Sequence, residues 1–245
     1  MTAPGRPRDK VLSADEAVRR TLFDGATVMV GGFGLVGCPL TLVEALNAGP
    51  VKDLTVVSNN LPEPGSYLGR SLLLGKVRHA IGTYFTTNPD VGRAHAAGRL
   101  QVTCLPQGTF SEAIRAAGAG LGGFYTPTGV GTLLAEGKEV REIGGKRYLF
   151  QEPLRADVAL VRAHVADRLG NLVYRETARN FNPLMATAAE VVVAEVDQIV
   201  EVGELDPERI VTPPLYVDHL VLATEKLGVS GSRAGRPASC GRDGW

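Results

Sequence analysis

The sequence lacks an excess of either charge, because its 26 Lys and Arg residues equal its 26 Asp and Glu residues in number. This balance excludes the strongly positive surface of a general nucleic-acid-binding protein. No apolar run approaches the roughly 18 residues of a membrane-spanning helix, and the polar first residues do not have the apolar stretch of a secretion signal. We therefore expect neither nucleic acid nor a membrane among its partners.

Cysteine is also scarce, with three residues spread along 245 positions and no CxxC pair. An odd, scattered set of this kind is typical of reduced thiols and predicts a cytoplasmic protein. The sequence contains neither a GxSxG nor an HExxH motif, and its four histidines are dispersed. These absences argue against a serine-hydrolase triad and predict that no metal is bound.

Glycine, in contrast, is abundant, at 30 of the 245 residues, well above the usual ~7%. The length allows one large domain or two small ones. Because no repeat or linker is visible, we expect a single domain over residues 11–225. Residues 1–10 and 226–245 lack periodicity, which predicts a flexible N-terminus and a disordered tail.

Short apolar segments alternate with helical segments through most of the chain. The segments that predict strands are 26–30, 54–57, 77–82, 100–105, 158–164 and 191–196, and those that predict helices are 13–23, 39–48, 66–74, 88–98, 109–117 and one ending near 189. Glycines interrupt 118–131, which predicts a loop, and the Gly144-Gly145 pair predicts a β-hairpin over 139–151. The alternation indicates an α/β fold: a mainly parallel open sheet with helices on both faces, plus the hairpin.

A glycine-rich loop of the form GxGxxG, from Gly32 to Gly37, follows the first predicted strand. Such a loop lets the backbone approach a ligand closely, and it directs unpaired N–H groups and the positive end of a helix at an anion. Dinucleotide binding also needs an acidic residue about 20 positions later, at the end of the second strand. That strand ends instead in Ser58-Asn59-Asn60, which argues against NAD. A phosphate or thioester ligand and a purely structural turn both stay open.

Amide side chains follow two of the predicted strands, with Asn59 and Asn60 after one and Gln107 after another. Ligands bind at the carboxyl edge of open α/β sheets, where amides can donate to a carbonyl or carboxylate without being charged. We therefore predict a site at this edge, with loop or helix-cap roles as the alternative for each residue. Cys38, beside the loop, is either an inert buried thiol or one whose pKa a helix N-terminus lowers.

The segment from Val30 to Pro39, VGGFGLVGCP, resembles the glycine loop of the A (alpha) subunits of family I coenzyme A transferases. The likeness continues in order through further motifs over about residues 12–222. They are Thr87 to Pro89, Leu105 to Thr109, Gly118 to Thr132, Pro153 to Asp157, Gly170 to Leu172, Ala178 to Pro183, Val202 to Leu205 and Val211 to Pro213. The chain most resembles bacterial acetate/acetoacetate (3-oxoacid) subunits, while subunits that use succinyl-CoA with 3-oxoacids, or that act on 3-oxoadipate, are also similar.

The resemblance implies half of a two-subunit enzyme that moves CoA from a short-chain acyl-CoA, such as acetyl-CoA or succinyl-CoA, to a carboxylate such as acetoacetate or butyrate. In that family a glutamate of the B (beta) subunit, in a Glu-Asn-Gly motif, carries CoA as a glutamyl thioester. Glu-Asn-Gly does not occur in this sequence. The resemblance therefore implies a partner beta subunit, a heterotetramer, and CoA or acyl-CoA as substrate, with no permanently bound cofactor.

The resemblance also implies which residues form the site. It places the CoA ester against the loop and the reacting acyl group near Gln107 and Asn59 or Asn60, with no nucleophile in this chain. The loop residues are Gly31, Gly32, Phe33, Gly34, Leu35, Val36 and Gly37. Two other functions stay open: a hydrolase or decarboxylase subunit of the same fold that acts on a CoA ester, and a non-catalytic CoA-binding module.

Overall fold

The structure is a computed structural model and describes residues 10–225. The flexible N-terminus and disordered tail expected at 1–9 and 226–245 lie outside the described residues. Lys10, the last residue of the predicted flexible segment, is buried. Its ammonium group donates to the carbonyls of Pro214 (2.8 Å) and Val217 (2.6 Å), which ties this end of the described chain to the body of the fold.

The described residues form six α-helices and eleven strands. The helices are α1 (Ala14–Thr21), α2 (Leu40–Ala48), α3 (Tyr67–Leu73), α4 (Pro89–Ala96), α5 (Gln107–Gly118) and α6 (Asn182–Met185). The strands are β1 (Thr27–Val30), β2 (Leu54–Val57), β3 (Val77–Gly82), β4 (Gln101–Cys104), β5 (Phe124–Thr126), β6 (Val140–Ile143), β7 (Lys146–Gln151), β8 (Ala156–Asp167), β9 (Leu172–Val173), β10 (Ala189–Val200) and β11 (His219–Leu222).

The main sheet has the strand order β11-β10-β8-β1-β2-β3-β4, and every neighbouring pair in that order is parallel. Only β9 pairs antiparallel, with β8. Parallel neighbours need a crossover, which helices supply between β1, β2, β3 and β4. The predicted mainly parallel open α/β sheet is confirmed.

Alternating side chains of the central strands supply a core on each face of the sheet. Val28 and Val30 of β1 pack with α1, α2, α3 and α4. Met29, between them, points to the opposite face and packs with Phe110 of α5 and Met185 of α6. This period of two is the expected pattern for strands buried on both sides, and it confirms helices on both faces.

A second, small sheet has the antiparallel order β5-β7-β6. It contains the predicted hairpin, and both Gly144 (φ +57°) and Gly145 (φ +76°) take the positive φ that a two-residue type I′ turn needs. The third strand, β5, lies inside 118–131, where we expected only a loop. Tyr125 of β5 stacks edge-on against Phe150 of β7 at 5.3 Å, a cross-strand contact that local sequence does not reveal.

The strands nearest the C-terminal end of the chain depart most from prediction. β8 and β10 each run for 12 residues, and β11 is a further parallel strand beyond the predicted last one. The helix predicted to end near 189 is only the single turn α6, and Ala189 begins β10. Asp197 interrupts the apolar pattern directly after the predicted end of β10, so the sequence underestimates how far that strand extends.

Candidate functional site

The glycine loop joins β1 to α2 and reverses its direction within four residues. The amide of Phe33 donates to the Val36 carbonyl (2.9 Å), and the amide of Val36 donates to the Phe33 carbonyl (3.2 Å). Gly34 has φ +61°, whereas the next residue, Leu35, does not have a positive φ, as in a type II′ turn. The GxGxxG sequence therefore forms a tight reversal, with Phe33 and Val36 exposed at its tip.

Most of the loop amides already have acceptors within the protein. Three more loop amides donate hydrogen bonds outside the turn. The acceptors are the Leu160 carbonyl for Gly31 (3.0 Å), Oδ1 of Asn180 for Gly32 (3.1 Å) and Oδ1 of Asn60 for Gly34 (3.1 Å). Of the seven loop amides from Gly31 to Gly37, those of Leu35 and Gly37 have no acceptor within residues 10–225. The expected row of unpaired N–H groups is thus wrong for most of the loop and is reduced to two donors.

The N-terminus of α2 faces a carboxylate of the protein itself. The amide of Leu42 donates to Oε2 of Glu195 (3.0 Å), whose side chain is fully buried. Arg162 forms an ion pair with the other oxygen of Glu195 and also pairs with Asp197. Burial raises the pKa of Glu195, while Arg162 and the Leu42 amide oppose that effect. One amide of this helix end is thus used by a side chain of the protein itself, and a ligand at this helix end stays a prediction.

Two asparagines that the sequence analysis did not single out hold the other side of the loop. The side chain of Asn180 accepts a hydrogen bond from the Gly32 amide and donates one to the Val36 carbonyl (3.0 Å). The backbone of Asn180 has an unusual φ of +23°. Asn182, fully buried, donates to the Gly37 carbonyl (3.0 Å). Both lie in the motif from Ala178 to Pro183 that carries the family resemblance, and this was the signal available to find them.

Glycine is required where these asparagines approach the loop backbone. A Cβ on Gly31 would lie 1.8 Å from Oδ1 of Asn182, and one on Gly37 would lie 2.3 Å from the Ala178 carbonyl oxygen. The first contact can be relieved only if the buried Asn182 side chain moves, and the second only if the backbone at Ala178 moves. These two glycines therefore permit a close backbone approach inside the protein, rather than to a ligand.

The structure brings Asn59 and Asn60 to the loop but leaves Gln107 apart from it. Asn59 and Asn60 are buried, and Oδ1 of Asn60 accepts the Gly34 amide. Gln107 is exposed in the first turn of α5, after β4, and its side chain makes no hydrogen bond within the described residues. The strand order places β4 three positions from β1.

A cavity of about 350 Å³ lies on the β8 side of the loop. Its lining includes Leu35, Val36, Gly37, Arg162, His164 and Asp197. Nδ1 of His164 lies 2.9 Å from Oδ2 of Asp197, and Arg162 forms an ion pair with the same carboxylate. The two loop residues with unpaired amides thus line the cavity.

Cys38 is an inert thiol. It is buried, and burial, with Glu195 adding to the effect, raises the pKa of the thiol. The alternative of a lowered pKa at the helix N-terminus is wrong. Among residues 10–225 no cluster of His, Cys, Asp or Glu could hold a metal ion, and no described helix is long and apolar enough to span a membrane.

Known proteins resemble this chain along nearly all of the described residues. Residues 11–223 match the coenzyme A transferase family. The chain belongs to that family. It is 50% identical to the alpha subunit of the acetate CoA-transferase of Escherichia coli, over 82% of this chain and 92% of that protein. It is 45% identical to the A-type subunit of the 3-oxoadipate CoA-transferase of Pseudomonas putida, over 92% of this chain and 97% of that protein.

The fold is that of solved members of the coenzyme A transferase family. The structure superposes on the acyl-CoA transferase of Escherichia coli O157:H7, solved as a thioester complex with CoA, with a TM-score of 0.81 and 24% identity. That alignment covers 91% of this chain and 49% of the other, so this chain spans about half the length of that protein. At this identity the likeness establishes the fold alone.

Proposed function

We propose that this chain is the alpha subunit of an enzyme that transfers CoA from a short-chain acyl-CoA, such as acetyl-CoA or succinyl-CoA, to a carboxylate such as acetoacetate or butyrate. The partner is a beta subunit that carries the nucleophilic glutamate in a Glu-Asn-Gly motif, and the two subunits form a cytoplasmic heterotetramer. The names of the relatives, which are CoA-transferase subunits of the alpha or A type, support this proposal.

The reaction proceeds by covalent catalysis on the partner's glutamate. The glutamate carboxylate attacks the thioester carbonyl, the C–S bond breaks, and CoA leaves as a thiolate, which leaves an acyl-glutamyl anhydride on the enzyme. The thiolate then attacks the glutamyl carbonyl and releases the first carboxylic acid as its anion. The incoming carboxylate reverses these steps, so no oxidant or external proton source is required.

Each of these steps passes through a tetrahedral oxyanion, which donors already in place stabilise. In this chain we assign that role to the amides of Leu35 and Gly37 together with the Asn60 side chain. The observation that carries the proposal is that these two amides have no acceptor in residues 10–225, in a loop fixed on both sides by asparagines. Gln107 is proposed as a further donor to the acyl group.

Co-expression with a beta subunit, followed by an exchange assay, tests this function. We expect the purified complex to convert acetyl-CoA and acetoacetate, or acetyl-CoA and butyrate, into the exchanged CoA ester and free acetate, measured by chromatography of the CoA esters. A folded complex that only hydrolyses or decarboxylates the CoA ester would contradict the transferase function. Tight CoA binding by this chain without a partner, and no turnover in the complex, would favour a binding module.

A further inference from the structure

We propose that Thr83 is a positioning residue that orients the side-chain amide of Asn60 through Asn59. This inference rests on the proposed function, because it assigns Asn60, and not Asn59, as the amide that meets the reacting acyl group. Thr83 directly follows β3, and the two asparagines follow β2. The three side chains and the glycine loop form one hydrogen-bonded series across the carboxyl ends of three adjacent strands.

The series has three bonds. The Thr83 hydroxyl lies 2.8 Å from Oδ1 of Asn59. Nδ2 of Asn59 donates to Oδ1 of Asn60 at 3.1 Å. Oδ1 of Asn60 also accepts the Gly34 amide at 3.1 Å.

The direction of every bond follows from the Gly34 amide. A backbone N–H can only donate, so the atom of Asn60 that faces Gly34 is its oxygen. That oxygen can accept from Asn59 only if the nitrogen of Asn59 faces it. The oxygen of Asn59 then faces Thr83, whose hydroxyl supplies the hydrogen. The Gly34 amide thus sets the direction of the series. The Thr83 hydroxyl, 2.8 Å from Oδ1 of Asn59 and 3.2 Å from the Asn59 backbone carbonyl, supplies the donor that holds Asn59 in this orientation.

The Thr83 backbone is held firmly enough to act as one end of the series. Its amide donates to the Asn59 carbonyl (2.9 Å), and its carbonyl accepts from the Cys104 thiol (3.3 Å). Beside it, a Cβ on Gly82 would lie 2.3 Å from the Ser58 carbonyl oxygen, so β3 and β2 approach closely at this edge. Asn59, at 2% exposure, has little room to adopt another orientation.

Asn60 is the member of the series that keeps donors for a ligand. Its oxygen is used twice, while its Nδ2 group has no acceptor within residues 10–225. Asn59, in contrast, uses its oxygen for Thr83 and one N–H for Asn60. With its oxygen held by Gly34 and Asn59, the NH₂ group of Asn60 has a fixed direction. A preorganised donor of this kind stabilises a developing oxyanion better than one that must first reorient.

The test is Thr83→Val in the assembled two-subunit enzyme. Valine keeps the shape of threonine and removes the hydroxyl, so we expect kcat to fall about 10-fold with KM changed by less than about twofold. Thr83→Ser keeps the hydroxyl and should restore kcat to within about twofold. Asn60→Ala should lower kcat about 100-fold or more. The matched control is Thr103→Val, which removes the hydroxyl 2.9 Å from His79 on the neighbouring strand and should leave kcat unchanged.

A crystal structure of the Thr83→Val complex is the second readout, and it does not depend on activity. We expect the Asn60 amide to turn or to occupy two orientations. An Asn60 amide that keeps its orientation overturns the inference, and so does a kcat equal to that of the wild type. An equal loss of kcat in Thr83→Val and Thr103→Val would also overturn it, because both would then act through folding. If the wild-type complex exchanges no CoA, the proposed function fails, while the crystal structure still decides whether Thr83 orients Asn60.

Discussion

Gly34 is the residue on which the shape of the glycine loop depends most. Its φ of +61° is strained for any residue with a Cβ, and most strained for a β-branched one. A Cβ at Gly34 would meet no atom within 4 Å. Substitution there therefore changes the backbone of the turn without creating a clash inside this chain.

We expect Gly34→Val to lower kcat/KM for the acyl-CoA by about 100-fold in the complex, because the strain of about 1–3 kcal/mol is relieved by unfolding the turn. The melting temperature should change little. Gly34→Asn is the matched variant, since asparagine tolerates positive φ, and it should retain more activity than Gly34→Val. Steady-state kinetics measures the activity of both variants. Wild-type activity in Gly34→Val would show that the loop is not part of the site.

Gln107 is the proposed site residue that the structure leaves farthest from the loop. It is exposed at the first turn of α5. If it donates to an oxyanion when the subunits assemble, Gln107→Ala should lower kcat about 10- to 1000-fold. Gln107→Glu keeps the shape of the side chain and removes its N–H donors, so it tests the donation itself. Turnover unaltered in Gln107→Ala would leave Gln107 with no role beyond starting the helix.

β8 and β10 support the loop through an ion pair that the sequence pattern does not predict. They extend past β1 and carry the Arg162–Glu195 pair, which fixes the N-terminus of α2. Local sequence predicted β1 and α2 well, because their apolar pattern and the Asp24-Gly25 turn are local signals. It could not predict the pairing, because Glu195 is 153 positions from Leu42. The same holds for Asn180 and Asn182, which contact the loop from a distant segment.

We expect Arg162→Met to lower the free energy of unfolding by about 3 kcal/mol, because removing one partner leaves a buried charge unpaired. Glu195→Gln in the same chain should recover part of that loss, since glutamine removes the charge and keeps an acceptor for the Leu42 amide. Urea denaturation of the single and double variants measures both effects. A change below about 0.5 kcal/mol in Arg162→Met would show that the pair contributes nothing.

The parallel sheet could be predicted from the sequence in outline, whereas the way its edge is built could not. Strand–helix alternation is a property of neighbouring residues, and it gave the correct class of fold. Hydrogen bonds to the loop come from segments up to 148 positions away, as between Gly32 and Asn180. We propose that residues 11–225 act as a single domain, with the loop, Asn60 and Thr83 at one edge and the partner's glutamate supplied across it.

A crystal structure of the two-subunit complex with bound acyl-CoA would decide whether the glycine loop contacts the thioester. We predict that the thioester carbonyl oxygen lies about 3 Å from the amide of Leu35 or Gly37, or from Nδ2 of Asn60. A thioester bound to the partner's glutamate but remote from residues 31–37 would contradict the role given to the loop.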